Sequence, residues 1–487
     1  DGAMFMPIIL GSDKTTVSVA TCQNEYYPLY LSTGNIHNNV RRAHRGSVVP
    51  IAFLAIPKSN REDEKDPAFH QFRRQLFHTS LSYILEPLKC NMSRPLIACC
   101  PDGHFRRIIF GLGPYIADYP EQALLASIVN GWCARCRAKY DDLEGIGEAR
   151  TKVHCDRVSQ AFDDDPDILW HTYGIVLDVP PFTDDFPRAD ISELLAPDLL
   201  QQVIKGVFKD HLVEWIWNFL KLEHGEAQAE RIMDDIDQRI AAAPPFLHLR
   251  RFPDGRKFQQ WTGDDSKALM KVLLPALVGH LPPAIIRCIR SFLDLCYLLR
   301  RYSHDQDSLK QIDTTLAEFH HHREHFHRTG TRLDFSLPRQ HSLVHYHHLI
   351  EEFGSPNGLC SSITESRHIT AVKEPWHQSG KYQALRQMLE TNQRLDKLTA
   401  ARSHLSEQGF LQGTVLSDAI DNLIGSRDDG VHLEDGSDSV SDHNAAEETG
   451  DDEDDDGEPV DDYAAAGAEV QMSLQTPHTS VGDSSTK

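Results

Sequence analysis

The sequence predicts an α/β protein whose sheet carries acids at its strand ends and is interrupted by a long all-helical stretch. Three observations lead there. Two strand-like runs end in an aspartate, Asp13 and Asp118. Up to residue 143 the pattern reads strand, strand, strand, helix, strand, helix, and from 144 to about 340 it is mainly helical. A further acid, Glu365, falls on a helix-patterned segment far downstream.

The organising stretch is 104–136, HFRRIIFGLGPYIADYPEQALLASIVNGWCARC. Phe105, Ile108, Ile109, Phe110, Leu112, Tyr115 and Ile116 are apolar or aromatic and partly β-branched, as strands favour. Asp118 follows, then Tyr119-Pro120. Proline suits a first helical turn, where the N–H it lacks would have no partner. Glu121 suits the positive end of that helix. Asp118 is thereby expected at the carboxyl end of a strand, where open α/β sheets place their ligands. A Cys-x-x-Cys pair, Cys133 and Cys136, closes the stretch.

The other elements follow in order. Residues 6–16 read as a strand ending at Asp13, and 26–32 and 48–56 as the second and third strands, with the basic loop GNIHNNVRRAHRG between the latter two. Residues 69–88 have helical spacing. A hairpin is expected over 95–116 around the turn dipeptide Asp102-Gly103. Amphipathic runs at 197–222, 226–243, 266–281, 285–301 and 306–327 fill the helical part, and 343–353, 361–373 and 381–402 follow. After about Gly425 few apolar residues remain, so burial cannot offset ordering entropy and the tail is expected to be disordered.

At 487 residues, 40% hydrophobic, the chain buries a large core and two or three domains are the prior. Of the net charge of −23, about −17 lies from Arg427 onward, which leaves a mildly acidic body and does not exclude nucleic acid as a partner. Ten cysteines follow no disulfide framework, which favours a reducing intracellular compartment. The most apolar region, 273–299, is broken by prolines and charges and reads as buried helices, not a membrane span. The chain starts at Asp1 and enters a strand-like run at once, which reads as a fragment lacking an upstream region.

Two strand-end acids, this element order, the helical interruption and the later helical acid suggest a ribonuclease H-like mixed sheet. Longer motifs resemble one family: GSDKTTVSVATCQNEYYPLYLSTGNIHNNVRRAH, CPDGHFRRIIFGLGPYIADYPEQ, GWCARC, DFPRADISELLAPDLL, WTGDDSKALMKVLLPA, SLPRQHSLVHY and GLCSSITESRHITAVKEPW. They resemble the Plavaka-type transposases of fungal DNA transposons, similar to the CACTA and Kyakuja–Dileera–Zisupton groups. The resemblance spans about 5–410 and omits the acidic tail. It implies a nuclear enzyme of the DDE type that cuts and joins DNA with two Mg²⁺ or Mn²⁺ ions, acting on transposon ends and target, with no membrane partner and with homo-oligomers as a further partner class. A catalytically inactive, transposon-derived DNA- or protein-binding module is the alternative. The implied organisation is 1–143 as the first part of the catalytic core, 144–340 as a helical insertion, 341–412 as the core's C-terminal helices with the third acid, and 413–487 as the acidic tail. At Ser192 and Gln201, where the family leads one to expect histidines, this chain departs from the pattern.

Two-metal phosphodiester chemistry needs a few carboxylates around ions about 3.5–4 Å apart, and Mg²⁺ suits such hard, sparse ligation. Asp13, Asp118 and Glu365 are the expected catalytic ligands. Each has a plainer reading: Asp13 as a turn cap, Asp118 as the N-cap of the Pro120 helix, Glu365 on a solvated helix face with Glu374 as its rival. Asp102 reads as a turn residue and Asp190 as a helix cap. Cys133 and Cys136 are half a structural zinc site, with His154 and Cys155 expected to complete it; two buried thiols are the alternative. The histidines at 320–327 and at His341, His345, His347 and His348 read as surface helix, with His345 or His348 able to approach the site. Arg41, Arg42, Arg45, Arg106, Arg107, Arg250, Arg251, Arg256, Lys257, Arg367 and Lys373 are the expected DNA contacts, made mostly to phosphate. Arg300 and Arg301 form a further basic cluster.

Overall fold

The computed structural model describes residues 2–18, 24–42, 46–58, 60, 65–100, 103–247, 249–256 and 261–411. The acidic tail, Arg45, Asp102 and Lys257 lie outside the described residues.

The sheet-forming part runs β1 (Met4–Ser12), β2 (Thr15–Ser18), β3 (Asn24–Tyr26), β4 (Pro28–Thr33), α1 (Asn38–Arg42), β5 (Val49–Phe53), α2 (Pro67–Ser93), β6 (Leu96–Cys99), β7 (Phe105–Ile116) and α3 (Tyr119–Leu125). Five strands form one mixed sheet in the order β5-β4-β1-β7-β6, and β2 and β3 form a small hairpin. β1 is central. Its Ile8, Ile9 and Leu10 are all buried, as expected of a strand covered on both faces. It pairs antiparallel with β4 and parallel with β7, with Gly11 opposite Ile116. Asp13 and Asp118 each lie two residues beyond that pair. Parallel strands about 4.8 Å apart therefore deliver both acids to one edge of the sheet.

The single strand expected over 6–16 is two strands, with Asp13 in the turn between β1 and β2. α2 does not stop near residue 88. It runs through Pro87 to Ser93, because Leu81, Leu85 and Met92 bury one continuous face. Each such side chain contributes roughly 2 kcal/mol, comparable to the cost of the proline.

The helical part comprises α4 (Lys152–Ala161), α5 (Pro166–Ile168), α6 (Ile191–Leu194), a π-helix (Leu199–Val213) that runs into α7 (Glu214–His224), then α8 (Glu226–Ala241), α9 (Gly263–Leu277), α10 (Pro283–Leu299), α11 (Gln306–Arg328), α12 (Pro338–His341), α13 (Tyr346–Phe353) and α14 (Ser362–His368). Among the described residues two hydrophobic cores are much larger than the rest. One joins Leu10, Leu29, Leu81, Leu112 and Tyr115 of the sheet and α2 to Phe182 and Leu195. The other is purely helical, built on Phe208, Trp215, Phe292, Phe319 and Phe326. Residues from Lys373 form a second compact unit, with α15 (Glu374–Gln378) and α16 (Ala384–Glu407) in its described portion. Among the described residues no helix is long and apolar enough to cross a membrane.

Candidate active site and metal centre

Local chemistry fixes each acid. Asp118 is the N-cap of α3 and accepts the Glu121 backbone N–H at 2.9 Å, so its capping role is real. Asp13 follows β1 directly. Glu365 sits in the first turn of α14. Asp13 feels the charges of the other two. Asp13 is raised from 3.8 to about 8, first by burial, then by the charges of Glu365 and Asp118, with Asp198 adding a smaller push. Burial also raises Asp118, opposed by its bond to Glu121 and by Arg339 and Lys14. Burial raises Glu365 too, opposed by Lys205, whose Nζ stands 3.5 Å from its Oε1. Gln201 Nε2 donates to the same oxygen. Gln201 is one of the two positions where histidine was expected.

Two further acids were not singled out for the site. Asp198 is fully buried and N-caps the π-helix through the Leu200 and Gln201 amides at 3.2 and 3.1 Å. It also accepts the Ser361 amide at 3.1 Å and the Ser361 hydroxyl at 2.8 Å. It thus ties the helix carrying Gln201 and Lys205 to the helix carrying Glu365. Burial lifts it to about 6. In the structure Leu195 bridges Tyr115 of β7 in parallel, so Asp198, like Asp118, follows extended backbone and starts a helix. Glu121, expected to complement a helix dipole, is instead buried beneath the site. It accepts from Ser12 Oγ and from Tyr27 Oη at 2.5 Å, while Ser12 Oγ and Tyr115 Oη share a bond of 2.6 Å. Burial holds its carboxyl well above the usual range. Asp190 is the helix cap expected of it, accepting the Ser192 amide at 3.0 Å.

The cysteine pair finds different partners from those expected. Cys133, Cys136, His341 and His345 are all buried, with one ligand atom from each within 4.8 Å of the others. His154 and Cys155 are outside this cluster, on α4, where the His154 ring packs 6.4 Å from Tyr173. The cluster fits zinc. Cys133 Sγ and Cys136 Sγ lie 3.3 and 3.2 Å from the Nε2 atoms of His345 and His341, and those nitrogens are 3.2 Å apart. Tetrahedral zinc would set sulfur–nitrogen and nitrogen–nitrogen separations near ~3.5 and ~3.3 Å. His341 Nδ1 meets the Leu143 carbonyl at 2.9 Å, which leaves Nε2 for a metal. The Arg135 and Cys136 amides donate to Cys133 Sγ at 3.4 Å, and its thiol is lowered to about 7, chiefly by Cys136. The His-x₃-His spacing of 341 and 345 was readable, but not its pairing with a motif some 200 positions earlier.

The basic residues divide. Arg41 is buried, not a groove residue: its guanidinium donates to the carbonyls of Gly358, Thr33 and Ile36. Arg256 forms a two-pronged pair with Asp237, and Arg250 pairs with Asp265 at 2.9 Å. Arg251 is exposed. Arg106 and Arg107 start β7, the end opposite Asp118 and roughly 35 Å away along the strand. Arg367 lies on α14, its charge felt at Tyr30. Arg42 stacks over Tyr302 at 4.6 Å. Lys373 opens the second unit. The 320–327 histidines lie on α11 and, among the described residues, form no metal-ligating group.

A family model described as Plavaka transposase matches residues 1–216. Over those residues the chain is similar to the Plavaka transposases. No curated protein matches the chain. The Plavaka match takes in Asp13, Asp118, Cys133, Cys136, Asp198 and Gln201 and ends before His341, His345 and Glu365. It is shorter than the 5–410 expected from the motifs. The downstream half of both clusters therefore rests on how the chain folds and not on that match.

Proposed function

We propose that the chain is the catalytic part of a nuclear DNA transposase, in which Asp13, Asp118 and Glu365 hold two Mg²⁺ or Mn²⁺ ions and cleave and transfer strands at transposon ends. The observation that carries this reading is the coupling of Asp13 to Glu365 and Asp118 across some 350 positions. Buried acids that repel one another form a set that a divalent ion would relieve. A ribonuclease H-like core is supported by the central β1, antiparallel to β4 and parallel to β7, with Leu195 bridging β7 beyond it.

Bound ions would supply Lewis-acid stabilisation and an activated oxygen nucleophile. The residues do the positioning. Asp118 is aimed by the Glu121 amide, Glu365 by Gln201 and Lys205, and α14 by the Asp198–Ser361 bonds. A zinc ion in the Cys133–Cys136–His341–His345 cluster would be structural, because all four ligand positions are filled by protein. The proposed layout keeps 1–143 and 341–412 as the core around a 144–340 insertion. The ion pair between Glu365 and Lys205, which already partners that carboxylate, favours the inactive binding module as second reading. Mn²⁺-dependent nicking of DNA carrying the element's ends decides between them. The enzyme reading expects nicking that Asp118→Asn abolishes; nicking unchanged by that substitution contradicts it, and binding with no nicking at any end sequence favours the module.

A further inference from the structure

Lined by none of the acids above, an open pocket of about 710 Å³ is left unused by the chemistry so far. Its size falls within the range of ligand pockets. Arg42 reaches it from α1, Lys271 from α9, and Arg300 and Arg301 from the turn between α10 and α11. One carboxylate, Asp305, lines it, and that group is already committed to capping α11 through the Ser308 amide at 2.7 Å. The pocket is therefore strongly cationic.

It is also aromatic. The Tyr302 ring is 69% exposed, with the Arg42 guanidinium layered on it at 4.6 Å, and Tyr297 adds a second partly exposed ring. His304 lines the same wall, and both its ring nitrogens are shielded without a hydrogen-bond partner among the described residues. Cations for phosphate and a ring for stacking are the two features that hold an unpaired nucleotide.

The pocket is tied to the acids by covalent neighbours. Asn357 Nδ2 donates to the Arg300 carbonyl and Ser355 Oγ to the Arg301 carbonyl. Four residues after Asn357 comes Ser361, which Asp198 holds, and four after that comes Glu365. We infer that this pocket binds a single DNA strand, its phosphates on Arg42, Arg300, Arg301 and Lys271 and an unpaired base stacked on Tyr302, and so feeds that strand toward the carboxylates. The last clause rests on the proposed cleavage; the binding site does not.

The test uses the full chain without divalent metal, so that chemistry does not enter. Fluorescence anisotropy compares a labelled 12-nucleotide single strand with a blunt duplex across a salt series. Tyr302→Ala is expected to weaken single-strand binding about tenfold while sparing the duplex, and Tyr302→Trp to retain it. Arg301→Ala is expected to weaken binding and lower the salt slope by about one. Single-strand affinity untouched by Tyr302→Ala, or equal loss for strand and duplex, overturns the proposal and leaves only an unspecific cationic patch. A chain that binds strands in this way yet nicks nothing would sink the cleavage reading and leave this one standing.

Discussion

Gly11 and Thr364 touch where the central strand meets the helix of the third acid: a Cβ on Gly11 would stand 2.8 Å from Thr364 Cγ2. Only a residue without a side chain lets α14 come this close to β1. Gly11→Ala is expected to push α14 outward, cost about 1–3 kcal/mol of stability by overpacking, and lower nicking by up to about a hundredfold, since small misplacements of catalytic groups act that strongly. Thr364→Ser removes the clashing methyl but keeps the hydroxyl that donates to Ser361 O at 2.9 Å. The double variant should recover nicking; comparable loss in the double variant would show that the contact does not set the position of Glu365.

Asp13 predicts a trade between stability and activity. Its folded value of about 8 lies above the ordinary 3.8. Between those values the folded chain binds more protons than the unfolded chain, so this group's contribution to stability is present at low pH and is lost as pH rises through about 8. Without divalent ions, Asp13→Asn is expected to raise Tm at pH 8 by roughly 2–4 °C and to abolish nicking. Thermal melts at pH 6 and 8 check this, the gain being larger at pH 8.

His78 predicts an opposite pH dependence. Burial lowers it from 6.5 to about 4. The Phe182 amide donates to Nδ1 at 3.1 Å, so Nε2 carries the proton toward the Leu124 carbonyl, 3.0 Å away. Protonating Nδ1 would break the Phe182 bond. Because the unfolded chain takes up the proton first, this group's contribution falls as pH drops from about 6.5 to about 4, by on the order of 3 kcal/mol. In urea melts, His78→Gln should flatten the stability profile over that window.

The metal centre predicts a stoichiometry and a partner set. Elemental analysis of purified protein should find one zinc per chain. His341→Ala or Cys136→Ser should remove it and lower Tm, whereas His154→Ala should leave the zinc content unchanged. Retention of zinc in His341→Ala with loss in His154→Ala would restore the partner set read from the sequence alone.

What could be read beforehand follows the range of the interactions. Asp13 and Asp118 were legible because each closes a strand-like run, a local pattern, and the parallel register that joins them follows from β1 and β7 sharing one sheet. Glu365 was reached through the resemblance; nothing within ten residues of it marks a site. Asp198 was passed over because Pro197-Asp198 looks like any helix start, and its second role depends on Ser361, more than 160 positions away. Arg41 looked like its exposed neighbours, since the three carbonyls that bury it belong to segments that fold against it. Lys205 and Gln201 lay inside an amphipathic run whose pattern reports burial, not partners.

The most direct measurement is the rise in Tm on adding Mn²⁺ at pH 8, taken on the full chain and on Asp13→Asn, Asp118→Asn and Glu365→Gln. The acidic tail is common to all four and cancels in the comparison. A shared ion site predicts a clear rise in the unaltered chain that each single substitution removes or sharply reduces. An equal rise in all four proteins would contradict it.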